Sequence, residues 1–208
     1  MKLNSKISDN ILVPRKTQVK EIAKVLSRAF FNYPTFVVSI PNEEKRKRNL
    51  HVLFESMVKY CMKYGEIFVT SEELEGVMLC LTPELPKISS WKMIKCGAIK
   101  IPFKLGFNFV QKQEHMDKIM EEMRKTHAPF PHTYLWVIAV DPSFQNQKFS
   151  SKLIQYLLKN LNEKNLSCYL ETVKSENVDI YKHFGFVLKE ARIIPEINIT
   201  TYSMLWKK

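Results

Sequence analysis

The stretch TYLWVIAVDPSFQNQKFSSKLIQYLLKNL, residues 133–161, decides how this chain folds. Thr133 to Val140 is almost wholly apolar, and a strand without a polar face is covered on both sides, as at the centre of a sheet. Asp141 to Lys148 reads as a loop. Phe149, Leu153, Ile154, Leu157, Leu158 and Leu161 then recur at helical spacing, opposite Lys152, Lys159 and Glu163. Cys168 to Thr172 is the next strand. A strand, helix, strand succession of this length implies a crossover between parallel strands.

The loop ends at a helix N-terminus. Unpaired backbone N–H groups and the positive end of the helix dipole make such a junction an anion site, suited to a pyrophosphate. Downstream, Asn177 to His183 reads as a short helix that Gly185 ends, and Phe186–Ala191 with Thr201–Trp206 as a closing antiparallel pair.

Upstream, Asn10–Arg15 suits an edge strand. Thr17 stands where an N-cap would, before Val19, Ile22, Ala23, Leu26, Ala29 and Phe30 at helical spacing. Pro34 and Pro41 bracket an aromatic loop. A second helix is expected from about Glu44 to Met62, ended by Gly65. Within it, Lys45, Arg46, Lys47 and Arg48 read as a solvated face. Glu66–Thr70 and Gly76–Leu81 read as a hairpin closed by Pro83 and Pro86. Residues 88–131 read as an insertion. Its first half mixes Trp91, Met93, Ile94, Ile99, Phe103, Leu105, Phe107 and Phe109 with Lys92, Lys95, Lys100 and Lys104, and its second half is a helix with Met116, Ile119, Met120 and Met123 on one stripe. Such a segment either lies on a membrane surface or folds back to wall off a pocket, and the second is the expectation.

The chain has 208 residues, 45% of them hydrophobic, enough for a sizeable core without staples. Its longest apolar runs are strand-length, short of the roughly 20 residues a spanning helix needs. The first residues, Met1 to Lys6, lack a signal peptide's apolar stretch, so a cytoplasmic location is expected. Cys61, Cys80, Cys96 and Cys168 are scattered, without the paired spacing of a zinc site, and read as buried free thiols. His127 and His132 make no metal site without a third ligand. They either line an acceptor pocket or cap a loop. The net charge of +11 fits nucleic acid, an anionic membrane surface or a small polyanion. The aromatic-basic motifs of nucleic-acid modules are missing, so no specific nucleic-acid partner is expected.

The run Val140-Asp141-Pro142, Gln145, Ser150-Ser151-Lys152-Leu153, then a strand, then Asn177, Tyr181 and Gly185-Phe186, resembles the GCN5-related N-acetyltransferases (GNAT). The resemblance implies an α/β fold: a central, mixed, mostly antiparallel twisted sheet flanked by helices. The whole chain, 1–208, would be one such domain carrying the 88–131 insertion. In the family this loop carries Gln/Arg-x-x-Gly-x-Gly/Ala, and its amides hold the pyrophosphate of acetyl-CoA, the acyl donor. Carried over, the contacts come from Gln145, Asn146, Gln147, Lys148, Phe149, Ser150 and Ser151. The motif's first glycine is Lys148 here and its second is Ser150. Serine is small. At 148 the Cβ must point away from the phosphates or the loop must shift, while the ammonium is able to pair with a phosphate.

The same resemblance implies direct attack by an amine on the thioester, without a covalent enzyme intermediate. The central strand would splay from its neighbour to admit the pantetheine arm. Backbone groups of Ile138, Ala139 and Val140 would pair with that arm and polarise the thioester carbonyl. Tyr181 matches the family tyrosine that protonates the departing thiolate; the bland alternative is a packing residue. Asn177 matches the residue that hydrogen-bonds the pantetheine arm, or caps its helix, or both. Many family members have a glutamate on the central strand, and none lies between Thr133 and Val140. Glu171 on the next strand is the best available carboxylate. It draws the amine proton through water, binds an ammonium substrate, or makes a structural hydrogen bond. Cys168 is poorly placed for a nucleophile. The expected activity is transfer of an acetyl group to a primary amine on a small molecule or peptide. The alternative is a catalytically weak acyl-CoA sensor of the same fold. The acceptor and the oligomeric state are not legible.

Overall fold

A computed structural model describes residues 11–83 and 88–207. Met1 to Lys6, Asn10 and Pro86 lie outside the described residues. The strands are β1 (Glu66–Val69), β2 (Gly76–Leu81), β3 (His132–Val140), β4 (Ser167–Thr172), β5 (Val187–Ile194) and β6 (Ile199–Trp206). They form one sheet in the order β1-β2-β3-β4-β6-β5. Only β3 and β4 pair in parallel; every other pair is antiparallel. The helices are α1 (Val19–Ala29), α2 (Pro34–Ser39), α3 (Glu43–Tyr64), α4 (Ser90–Lys95), α5 (Ile101–Leu105), α6 (Phe107–His127), α7 (Phe149–Lys164) and α8 (Ser175–His183). This is the mixed, mostly antiparallel α/β sheet flanked by helices that the sequence led us to expect.

The central strands of the sheet are buried on both faces, while β5 is largely exposed. Val77 and Leu79 of β2 and Tyr169 of β4 join the stripes of α1 and α3 in one core. Met78, Cys80, Cys168 and Leu170 face α7 and α8 in a second. Strand alternation alone produces this division, because successive side chains point to opposite faces. A small third cluster, with Met116, Ile194 and Ile197, ties α6 to the β5–β6 end.

Several local expectations change. The edge strand reduces to a single bridge between Leu12 and Val69. Thr17 lies inside a 3-10 turn, Lys16–Gln18, and Gln18 precedes α1. Its Oε1 accepts from the Arg15 N–H at 2.9 Å. The Pro34–Pro41 loop is largely α2, with Pro34 in its first turn, where a missing N–H costs nothing. Arg46 breaks the solvated face. It is 5% exposed, donates to the carbonyls of Phe31 and Ile40, and stacks on the Phe31 ring. Gly65 ends α3 from an extended conformation, not a left-handed one. A Cβ there would stand 2.4 Å from the Cys80 carbonyl oxygen, so close backbone approach requires the glycine. Gly185 does cap α8 left-handed: its N–H bonds the Lys182 carbonyl and that of Phe186 bonds Tyr181. The four cysteines are free and buried. None of the helices among the described residues is long and apolar enough to cross a membrane.

Candidate active site

The central strand is irregular where the chemistry is expected. Val137 pairs with Leu79 and Leu135 with Cys80, so Trp136 is an extra, bulged residue. The bulge puts Trp136 and Val137 on the same face. On the other edge, β3 pairs with β4 only through His132, Thr133 and Tyr134. Beyond Tyr134 and Tyr169 the two strands share no ladder, although β4 continues to pair with β6 as far as Thr172. Ile138, Ala139 and Val140 therefore border an open wedge. Extended backbone without a sheet partner on that edge is a template for another extended chain.

The loop above the wedge is open. Residues 142–148 are exposed, and Phe149, Ser150 and Ser151 are half-buried. The first helical bond of α7 runs from the Lys152 N–H to the Lys148 carbonyl, at 3.1 Å. Among the described residues, the N–H groups of Gln145 through Ser151 have no protein acceptor. Lys148 is the N-cap of α7 with φ 63, ψ 18, and Asn146 also has positive φ. The left-handed conformation costs a side-chain-bearing residue roughly 1 kcal/mol and suits glycine. Lys148 thus takes a turn that suits glycine, and its Cβ does not force the loop shut. A left-handed residue followed by a right-handed one aims successive N–H groups into one concavity.

Two contacts hold this loop, and neither was legible in the sequence. Asp141 accepts from the Arg28 guanidinium and from the Ser143 N–H, and its own N–H bonds the Glu75 carbonyl. Burial works to raise the Asp141 carboxyl, but Arg28 and Ser143 outweigh it and hold it below the ordinary carboxylate range. Beneath α7, a Cβ on Gly76 would stand 2.9 Å from Thr70 Cγ2 and 3.1 Å from Leu153 Cδ1, so the glycine lets the helix start sit close on β2.

The other bank of the wedge is made of buried side chains. Glu171 has both carboxylate oxygens buried, with the hydroxyls of Tyr134 and Tyr169 close to them. Burial pushes its carboxyl up to about 7; the nearby Tyr134 hydroxyl, Arg124 and the Tyr169 hydroxyl pull it down, and Asp117 adds to the rise. The hydroxyls of Tyr169, Thr201 and Ser203 are likewise buried, Tyr169 lying beside Ser203. Arg124 stacks on the Tyr134 ring at 4.5 Å. Across the strand, Thr172 Oγ1 accepts from the Lys174 N–H at 3.3 Å and from Asn177 Nδ2 at 3.1 Å, and the Tyr33 hydroxyl lies 3.4 Å away. Asn177 is the third residue of α8, not its cap. Its amide nitrogen is committed to Thr172. Tyr181 is 7% exposed and packs edge-on against Phe186. Burial, reinforced by Tyr33 and Cys168, lifts its phenol well above 10, so it stays protonated at any physiological pH. Burial also pushes the Cys168 thiol up to about 12, the wrong direction for a nucleophile.

The two predicted groups thus stand on opposite banks: Ile138 to Ser151 on one, Glu171, Asn177 and Tyr181 on the other. A cavity of about 580 Å³ opens near the other end of β3, lined by Thr82, Arg124, Phe130, His132 and Tyr134. His132 donates from Nδ1 to the Phe130 carbonyl at 2.7 Å, while His127 pairs with Glu190. Among the described residues no group of three metal-ligating side chains occurs. Sequence reasoning missed Thr172, Tyr33, Tyr134 and Tyr169, whose roles arise from contacts across the sheet.

The sequence model described as the Acetyltransferase (GNAT) family matches residues 109–186, from α6 through Phe186. An uncharacterized N-acetyltransferase of Schizosaccharomyces pombe is 23% identical over 187 residues, covering 86% of this chain and 74% of that protein. A Corynebacterium glutamicum structure described as histone acetyltransferase HPA2 and related acetyltransferase superposes with a TM-score of 0.65, at 22% identity over 95% of each chain. The Drosophila melanogaster polyamine N acetyltransferase, which catalyses the formation of N acetylagmatine, gives a TM-score of 0.62 at 10% identity, over 95% of this chain and 100% of that one. At these identities the likeness to solved structures is one of fold. The recognition made from the loop and the Asn177–Phe186 segment agrees with all of them.

Proposed function

We propose that this chain, with the GNAT fold and a GNAT family match over residues 109–186, is an acetyltransferase that moves the acetyl group of acetyl-CoA to a primary amine by direct attack. One observation carries the donor: the row of unpartnered N–H groups from Asn146 to Ser151 at the start of α7. Those groups bind the pyrophosphate, with the Lys148 ammonium beside them. The pantetheine arm lies in the wedge along Ile138–Val140. A free N–H of that segment donates to the thioester oxygen and stabilises the oxyanion as it forms.

The amine approaches the face where Glu171 lies. A carboxyl with a pKa of about 7 is ionised enough near neutrality to take a proton, directly or through water, and basic enough to hold it. The neutral amine nitrogen then attacks the thioester carbon and sheds its excess proton to water, the tetrahedral intermediate collapses, and the C–S bond breaks. Tyr181 donates a hydrogen bond and then its proton to the departing sulfur, and is reprotonated from water. Its raised pKa keeps that proton available but makes it a weak acid, so it acts mainly as sulfur charge builds. Asn177 accepts from an amide N–H of the pantetheine arm.

Residues 88–131 are read as an insertion in a single domain. Cytoplasmic residence belongs to the same proposal, in keeping with four free thiols. Calorimetry with acetyl-CoA, followed by release of free CoA on addition of an amine panel that includes agmatine and longer polyamines, tests the reading. Saturable binding with amine-stimulated release supports it. Binding without stimulation by any amine favours the sensor alternative.

A further inference from the structure

The segment after β2 folds as expected on one side and not on the other. Cys96, Ile101, Leu105 and Phe109 are buried against α3 and the core. The opposite side chains stand in solvent: Trp91 is 65% exposed, Phe103 78% and Phe107 71%, with Ile94 and Ile99 also exposed. Only part of the segment therefore walls off the interior.

The charge on this face has one sign. From Ile88 to Gln113 the chain has five lysines and no Asp or Glu. Lys95 lies over the Trp91 ring, and Phe103 and Phe107 meet edge-on with centroids 6.3 Å apart. Lys45 of α3 reaches the same place, since its Nζ lies 3.1 Å from where a Cβ on Gly106 would be. Lys112 bonds the Val38 carbonyl, which sets the exposed Val37 and Val38 of α2 beside α6. Two carboxylates of α3, Glu44 and Glu55, are paired with Arg48 and Lys59.

We propose that this face, formed by α4, α5 and the first turn of α6, docks the protein on an anionic phospholipid surface. The interleaving of charge and apolar bulk selects a bilayer over a protein. Protein interfaces desolvate their centres and are depleted of lysine there. Here a lysine neighbours nearly every exposed ring, an arrangement that keeps each ammonium at the headgroups while rings enter the acyl boundary. No helix crosses the bilayer in this arrangement.

Vesicle co-sedimentation of the full chain tests this, using neutral phosphatidylcholine vesicles and vesicles with 30% phosphatidylserine (about that fraction suffices for a negative surface potential). The expected result is binding to the anionic vesicles only, weakened by salt, with a blue shift of tryptophan emission that Trp91→Phe removes. Phe103→Ser with Phe107→Ser leaves the charge intact and should lower partitioning at least about ten-fold. Lys95, Lys100 and Lys104→Gln should do the same, whereas Lys159, Lys164 and Lys189→Gln, equal in charge, should not. Both ring positions are exposed, so an unchanged melting temperature is expected and is checked. Equal binding by the phenylalanine variant, equal loss in the two lysine variants, or no sedimentation with anionic vesicles overturns the proposal.

Discussion

The two banks of the wedge are built from different materials. The bank from Ile138 to Ser151 presents backbone: extended strand, then free N–H groups in an exposed loop. The bank of Glu171, Asn177 and Tyr181 presents side chains, with Glu171 beside Tyr134 and Tyr169, Asn177 bonded to Thr172 and Tyr181 packed on Phe186. A backbone site tolerates substitution, because no single side chain makes it. A buried side-chain site does not, because each group's pKa and orientation depend on its neighbours. That tolerance accounts for a loop that stays open with a lysine at 148 and a serine at 150. In the proposed mechanism, donor binding falls to one bank and proton transfer to the other.

The sharpest way to break that division is Glu171→Gln. Turnover should fall by roughly 100-fold or more, as for loss of a general base, with the limb of the pH–rate profile near 7 lost and acetyl-CoA affinity unchanged. Steady-state kinetics between pH 5.5 and 9 reads both. A carboxyl whose pKa is raised on folding favours the native state while protonated, and that contribution is lost as pH rises through about 7. The same variant should therefore melt higher than wild type at pH 8.5, by an amount equivalent to at most roughly 3 kcal/mol, and not at pH 5. Tyr181→Phe comes next, with kcat lower by about 10- to 100-fold and donor affinity within a factor of two. An equal loss of kcat and of donor affinity would make Tyr181 a packing residue.

On the backbone bank, effects should be smaller and fall on binding. Asp141→Asn removes the charge that Arg28 pairs with and loosens the start of the loop. Arg28 is half exposed, so the expected cost is about 1–2 kcal/mol of stability, with several-fold weaker acetyl-CoA binding by calorimetry. Because the Asp141 carboxyl is held low, its contribution is present above about pH 4 and fades as pH falls below that. Lys148→Gly should change least. Relief of the left-handed strain offsets the flexibility glycine adds, so stability shifts by less than about 1 kcal/mol, while binding becomes less sensitive to salt.

The same contrast separates what the sequence reveals from what it conceals. The backbone bank is local: a strand, a loop and a helix start, contiguous over about twenty residues and marked by a change of period. The side-chain bank is not. Tyr33 meets Thr172 across 139 positions, and Tyr134, Tyr169 and Glu171 meet through strand register. Glu171 itself was found because it is the lone carboxylate in its strand, but its burial, which raises its pKa, depends on neighbours from β3, β4 and α6 that no periodicity brings together. Arg46 was misread because one side chain of a basic run turns inward to bond two carbonyls. The α2 helix was misread because six residues between prolines hold too little apolar period to register. The exposed rings of the 88–131 segment were legible as a pattern, while which face turns outward was not.

The central claim is that six consecutive peptide N–H groups, Asn146 to Ser151, receive the diphosphate of the donor. Backbone amide spectra of 15N-labelled protein, titrated with acetyl-CoA and separately with a pantetheine thioester lacking phosphates, test it residue by residue. The account predicts that acetyl-CoA shifts these six amides and slows their hydrogen exchange, and that the truncated thioester leaves them largely unmoved. If acetyl-CoA binds and these amides do not respond, or if both compounds perturb them alike, the account is wrong.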